Sequence, residues 1–269
     1  MSNYYALITG ASSGIGKEIA RELAKRDYSL ILVSNQETEL NETAQLLAAE
    51  YRVSTHPIHM DLATPEAALD LYQKVKLLNI EIEILVSNAG MFFFKEIAES
   101  VPTSANAMIQ LHVSTPSLLA HYFAKDMRTR RRGHILFTSS IAAWGNFPGL
   151  AWYGSSKHYI RSFAASLREE LQVWGVNVTC LAPGAVATGL YEQTGVPVQT
   201  AVKYKVMSDP AKIARKAVQG MFKHRAVVIP GFSAKLMAFF MAIAPTWLIM
   251  IIRKRMSLFS KPEGGPSKK

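Results

Sequence analysis

The stretch Thr9-Gly10-Ala11-Ser12-Ser13-Gly14-Ile15-Gly16 limits what this chain can fold into more than any other. An apolar run from Tyr4 to Ile8 precedes it and reads as a short buried strand. Ile15, Ile19 and Leu23 follow at a spacing of four, with Ala20 and Ala24 beside them, which is one face of a helix. Where a strand feeds a glycine-rich turn and then a helix, backbone N–H groups can approach a pyrophosphate. The helix N-terminus adds unpaired donors and the positive end of its dipole. The glycines are separated by three residues and then one, unlike the common G-x-G-x-x-G fingerprint. Taken alone, the loop also admits a second reading, a glycine-rich surface turn.

The rest of the chain supplies the context. A length of 269 residues with 49% hydrophobic content suits one α/β domain with a large core. Cys180 is the only cysteine, so no internal disulfide forms, and its place in the run Val176 to Leu181 makes it a buried thiol. The N-terminus enters the first strand without a charged-then-apolar leader, so no signal peptide and a cytoplasmic setting are expected. The net charge of +10 includes a cluster at Arg128, Arg130, Arg131 and Arg132 and another at Arg253, Lys254 and Arg255. No nucleic-acid motif is interleaved with them, and the first cluster suits the negative end of a helix, so no nucleic-acid partner is expected. No metal site is read from the sequence.

Alternation of strand-like and helix-like segments continues to the end of the chain. Leu30 to Val33, Val53 to His59, Ile82 to Val86, Ile135 to Thr138, Val176 to Leu181 and Ala226 to Ile229 read as strands. Between them, Glu37 to Glu50, a helix opened by Pro65, Ser104 to Asp126, Trp152 to Trp174 and a helix capped by Asp209-Pro210 and reaching Lys223 read as helices. The pattern predicts a doubly wound α/β parallel sheet, Rossmann-like, with the ligand at the carboxyl ends of the strands. The expected division is a single dinucleotide-binding and catalytic domain over 1–230, an apolar helical extension over 231–257, and a disordered polar tail over 258–269.

Tyr153-Gly154-Ser155-Ser156-Lys157 places a phenol and an ammonium four apart, one turn along one helix face. A nearby cation favours the phenolate and brings a tyrosine closer to working pH as an acid or base. As a bare pattern this is weak, but Ser139-Ser140 closes the preceding strand 13 residues before Tyr153. Together with the glycine loop, the set resembles the short-chain dehydrogenase/reductase family, specifically relatives with an apolar C-terminal extension that reduce lipid-like ketones. Five motifs, in order, carry the resemblance over residues 4 to 230.

The resemblance implies that Ser140 hydrogen-bonds the substrate oxygen and Tyr153 transfers the proton. It implies that Lys157 binds the nicotinamide ribose and lowers the tyrosine pKa. Gly10, Ser12, Ser13, Gly14, Ile15 and Gly16 would cradle the dinucleotide. Ser87-Asn88-Ala89-Gly90 resembles the family's N-N-A-G, with serine in first place, and Asp61-Leu62 resembles the acidic site near the adenine. Pro183-Gly184-Ala185-Val186-Ala187-Thr188 resembles the turn whose Val186 backbone and Thr188 hold the carboxamide. The family's asparagine in the helix before the catalytic strand is replaced by His112. Either His112 takes over a water-mediated proton relay, titrating near neutrality, or it is simply packed there. On the relay reading, His112→Asn preserves or raises turnover and flattens its pH profile near neutrality.

Cofactor choice is read at Ser34 and Asn35, with Gln36 after them. No carboxylate there repels a 2′-phosphate, although the usual arginine is missing too, so NADP(H) is favoured over NAD(H). Aromatic and apolar segments, Met91 to Phe94, Trp144 to Phe147 and a lid over 189–208, suit a small hydrophobic carbonyl or alcohol. Relatives pair through the helix carrying the tyrosine and the one before it, which implies a homodimer or homotetramer. Leu236 to Ile252 is uncharged but interrupted by Pro245, too short to span a bilayer. It reads either as two short helices packed on protein or as peripheral contact of 236–255 with the inner membrane surface. A cofactor-binding sensor or scaffold with little turnover is the competing functional class.

Overall fold

The strand-like runs form one parallel sheet in a computed structural model that describes residues 4–186 and 208–255. Its strands are β1 (Tyr5–Thr9), β2 (Ser29–Ser34), β3 (Thr55–His59), β4 (Ile82–Ser87), β5 (Gly133–Thr138), β6 (Val176–Leu181) and β7 (Val227–Val228), in spatial order β3-β2-β1-β4-β5-β6-β7. The order reverses direction at β1 and β4, so a crevice opens beyond their carboxyl ends.

Each central strand is apolar on both sides because helices cover both faces. Ala6 and Ile8 of β1 meet Ile19 and Leu23 of α1 (Gly14–Ala24) and Val218 and Met221 of α7 (Pro210–Phe222). Leu7, between them, faces the other layer, with Leu71 of α3 (Ala67–Leu77), Phe123 of α5 (Thr115–Arg130) and Ile160 of α6 (Ala151–Leu171). Remaining helices are α2 (Glu37–Tyr51), α4 (Pro102–Ile109), α8 (Phe232–Ile243) and α9 (Thr246–Arg255).

Two expectations about helices are corrected. Pro65 does not open α3; it lies in a turn and the helix starts two residues later, at Ala67. The segment read as one helix from Ser104 to Asp126 is α4, a π-helical turn over Gln110–Ser114, and α5 in continuous succession. Pro116 explains the widening. Lacking an N–H, it cannot donate to the His112 carbonyl as an α-helix requires, and the Thr115 N–H reaches back to the Gln110 carbonyl instead. The apolar C-terminal run is two short helices, broken before Pro245. No helix among the described residues is long and apolar enough to cross a membrane. Thr188, the rest of the expected lid up to residue 207 and the tail lie outside the described residues.

Phe123 is fully enclosed between sheet and helices, away from the crevice. Phe123→Ala is therefore expected to lower unfolding free energy by about 3–5 kcal/mol, read from urea denaturation, with an unchanged far-UV spectrum.

Candidate active site

The crevice is built where β1, β4 and β5 end. Thr9 closes β1, and its hydroxyl accepts from the N–H groups of Asn88 (2.9 Å) and Ala89 (3.0 Å). Asn88 in turn donates its side-chain amide to the carbonyls of Thr9 (3.2 Å) and Gly10 (3.3 Å) and accepts from the Thr138 hydroxyl (3.2 Å). One asparagine thus ties the glycine loop to two further strand ends. The loop leaves no room beside these bonds. A Cβ on Gly16 would strike the Gly10 carbonyl and lie 2.6 Å from Asn88 Nδ2, and Gly10 itself needs φ +65°.

Helix α1 starts at Gly14 with Ser13 extended before it, with no side-chain cap and no acidic residue in the first turn. Its leading N–H groups are open donors at the positive end of the dipole, which fits a dinucleotide pyrophosphate. Beside them, the Ser34 hydroxyl donates to Ser12 Oγ (2.9 Å) and accepts from the Gln36 N–H (3.2 Å). Ser12 donates to the side-chain Oε1 of Gln36 at 2.7 Å. Asn35 is exposed next to this ring. Asp61 accepts from the Ala63 N–H (2.9 Å), and the carbonyl of buried Leu62 accepts from Thr115.

Ser140, Tyr153 and Lys157 are each buried, Ser140 just beyond β5 and the other two on α6. Ser140 lies two residues beyond β5 in extended backbone; its Oγ accepts from the Ala142 N–H at 3.2 Å, which leaves the O–H to donate. Lys157 Nζ lies 5.6 Å from the centre of the Tyr153 ring and donates to the Thr138 carbonyl at 3.1 Å. Burial lowers the Lys157 pKa from 10.5 to about 8. Ser139, not its neighbour, braces the helix: its hydroxyl donates to the Lys157 carbonyl at 2.8 Å. Met91, Phe92, Phe93, Leu150 and Trp152 pack around Tyr153, and Phe92 meets its ring edge-on at 4.9 Å.

His112 is fully buried on the π-helical turn. Its Nε2 accepts from the Met91 N–H (3.0 Å), so the neutral ring carries its proton on Nδ1 and donates to Ser156 Oγ (2.9 Å). Ser156 passes its own hydrogen to the Tyr153 carbonyl at 2.8 Å. Burial, and after it the Lys157 charge, pulls the His112 pKa well below 6.5. The expected titration near neutrality is therefore corrected: desolvation keeps this imidazole uncharged, and the flattened pH profile has no basis. Gly90 sits against both groups, since a Cβ there would lie 3.0 Å from His112 Nε2 and 3.7 Å from Lys157 Nζ.

The turn after β6 closes the crevice on the far side. The Pro183 carbonyl accepts from the Ile141 N–H at 3.0 Å, Gly184 lies against Ile141 and Ala234, and Val186 bridges to Ser208. Sequence reading gave no role to the hydroxyls of Thr9, Thr138, Ser139 and Ser156, which hold the site together. Their only signal was serine or threonine at or just beyond a strand end and, for Ser156, on the turn of α6 between Tyr153 and Lys157. Among the described residues no group of His, Cys, Asp and Glu is placed to hold a metal.

The short chain dehydrogenase family model matches residues 4–196. A very-long-chain 3-oxoacyl-CoA reductase of Danio rerio is 32% identical over 190 residues, which cover 68% of this chain and 58% of that protein. The chain thus spans less than two thirds of that relative's length. A short-chain dehydrogenase from Sphingobium yanoikuyae in complex with NADPH superposes with TM-score 0.79 at 24% identity, covering 98% of this chain and 99% of that one. An alcohol dehydrogenase from the archaeon Thermococcus sibiricus, complexed with 5-hydroxy-NADP, gives TM-score 0.73 at 28% identity, covering 84% and 95%.

The low Lys157 pKa has a consequence for stability. Between about 8 and 10.5 the unfolded chain binds the proton that the folded chain has released, so this residue's penalty is full below about 8 and vanishes as pH rises to 10.5. Lys157→Met is expected to stabilise the protein relative to wild type at pH 7, by at most about 3 kcal/mol. That advantage should shrink steadily towards pH 10, as read from urea midpoints of the two proteins across the range.

Proposed function

Because this chain belongs to the short-chain dehydrogenase family, we propose that it is an oxidoreductase acting on a carbonyl or secondary alcohol of an apolar substrate. The observation that carries this reading is the buried Lys157 ammonium set beneath the Tyr153 ring, and the buried Ser140 hydroxyl just beyond the end of β5 supports it. When bound, the nicotinamide dinucleotide supplies or takes up the hydride. Gly10 to Gly16 and the open N-terminus of α1 would hold its pyrophosphate, Asn88 to Gly90 and Lys157 its ribose, and the Val186 turn its carboxamide. In the reducing direction Tyr153 donates its phenolic proton to the substrate oxygen. Ser140 donates a hydrogen bond to that oxygen, and the Lys157 cation stabilises the phenolate left behind. Met91, Phe92, Phe93 and Trp152 exclude water from the reacting group and favour an apolar substrate.

The Ser12, Ser34 and Gln36 ring supports a preference for NADP(H). The side-chain Oε1 of Gln36 is taken by Ser12, so the side chain presents its NH2 donors, with Asn35 beside it and no carboxylate to repel a phosphate. Both nitrogens of His112 are engaged with protein, which supports a positioning role, joining the Met91 loop to the turn of α6 that carries Tyr153. A homodimer through α5 and α6 is supported by half-exposed Leu118 and Tyr159 on those helices.

Tyr153→Phe should lower kcat for NADPH-dependent ketone reduction by about 10²–10⁴-fold while NADPH affinity is retained. Two proteins that bind NADPH alike and never consume it, with a panel of apolar ketones, would instead establish a sensor or scaffold. Gln36→Glu is expected to shift the ratio of kcat/KM for NADPH over NADH downwards by roughly tenfold or more; an unchanged ratio places the selectivity elsewhere. His112→Asn, too short to bridge Met91 and Ser156, should cost about 10- to 100-fold in kcat. Its pH profile should stay where it was, and a shifted profile would restore the relay reading.

A further inference from the structure

Helix α8 buries its small side chains and shows its large ones to solvent. Ala234 and Ala238 are buried, whereas Phe239 (60%), Phe240 (56%) and Ile243 (61%) are largely exposed, as is Trp247 (64%) on α9. That reverses the amphipathic arrangement of a helix resting on a water-facing surface. An exposed apolar patch of this size marks a contact surface. With 12 and 10 residues, α8 and α9 are each far short of the ~20 needed to cross a bilayer.

Charge identifies the partner. Between Asp209 and Glu263 the sequence contains ten Lys and Arg and no Asp or Glu. The other residues hold 20 basic and 20 acidic side chains, so the whole net charge of +10 belongs to this stretch. Lys235 lies in α8, and Arg253-Lys254-Arg255 follow the apolar run directly. Two copies meeting through this face would bring like charges together, whereas anionic lipid head groups neutralise them.

We propose that the α8–α9 hairpin docks the protein on an anionic bilayer surface, its aromatic side chains at the acyl boundary and its basic residues among the head groups. The hairpin is rooted at the candidate active site. Helix α8 packs on the 3₁₀ turn Ile141–Trp144 that follows Ser140. A Cβ on Gly145 would lie 3.1 Å from Met241 Cβ, and one on Gly184 would lie 3.6 Å from Ala234. Docking therefore brings the mouth of the crevice to the lipid surface, where a membrane-dissolved apolar ketone or alcohol enters without crossing water. This last link rests on the oxidoreductase reading; the docking does not.

The test uses the full chain with vesicles of phosphatidylcholine alone and of phosphatidylcholine with equal phosphatidylglycerol. Wild type should co-sediment with the anionic vesicles at least tenfold better than with the neutral ones. Raising salt from ~0.05 to ~0.5 M should release much of it. A blue shift in emission should accompany binding and be lost in Trp247→Phe. Binding should also fall at least tenfold in Phe239→Ser/Phe240→Ser and in Arg253→Glu/Lys254→Glu/Arg255→Glu, with cooperative urea unfolding showing that both variants fold. Wild type remaining in solution with both vesicle types overturns the proposal. So does equal sedimentation by the folded variants, or a dimer that these substitutions dissociate without any vesicle binding. Ketone reduction is assayed in parallel: vesicle binding without turnover refutes the oxidoreductase reading and leaves the docking standing.

Discussion

A lysine ammonium enclosed by protein is the constraint around which this structure is arranged. Holding Lys157 at a pKa of about 8 instead of 10.5 destabilises the fold by about 3 kcal/mol at neutral pH, a large share of a typical domain's stability. The surroundings offset that cost only in part. The Thr138 carbonyl accepts from Nζ, the Ser139 hydroxyl steadies the helix backbone, and the face of Tyr153 lies close by. A cation kept in so dry a place acts strongly on its neighbours, because little solvent screens it. Its charge helps to hold the neighbouring His112 neutral, for the same reason that its burial is costly.

The bonds at the strand ends answer a second constraint. Parallel strands stop with unpaired backbone groups, and a crevice lined by such ends is rigid only if side chains satisfy them. Thr9, Asn88 and Thr138 do this across β1, β4 and β5. They hold the glycine loop so closely that no side chain fits at Gly16. Rigidity here would matter to the proposed reaction, in which a dinucleotide and a substrate must meet within a fraction of an ångström. The π-helical turn serves the same end. Freed from α-helical register by Pro116, it lets His112 reach the Met91 loop and α6 at once.

At the C-terminus the physics runs the other way. The hairpin exposes phenylalanine and tryptophan and buries alanine, a poor arrangement in water and a sensible one at an interface. Its base stands on the turn that follows Ser140, so the least water-adapted part of the molecule adjoins the candidate active site.

Much of this was legible in the residues. Apolar runs without alternation imply strands covered on both faces, the glycine loop implies a strand-to-helix turn, and Tyr153 and Lys157 share a helix face through their spacing. These are local properties, set by backbone sterics and helical period. The corrections concern what neighbours impose from a distance. The charge state of His112 follows from burial and the nearby Lys157, the start of α3 from the turn before it, and the direction of the apolar C-terminal side chains from what α8 packs against. The bracing hydroxyls of Thr9, Ser139 and Ser156 find partners 79, 18 and 44 residues away along the chain, and only the bond from Ser156 to the Tyr153 carbonyl, 3 residues back, is local. A sequence determines spacing along the chain, whereas solvation and long-range contact arise only once the chain has closed on itself, and those decide which groups are charged, which are bonded and which face outward.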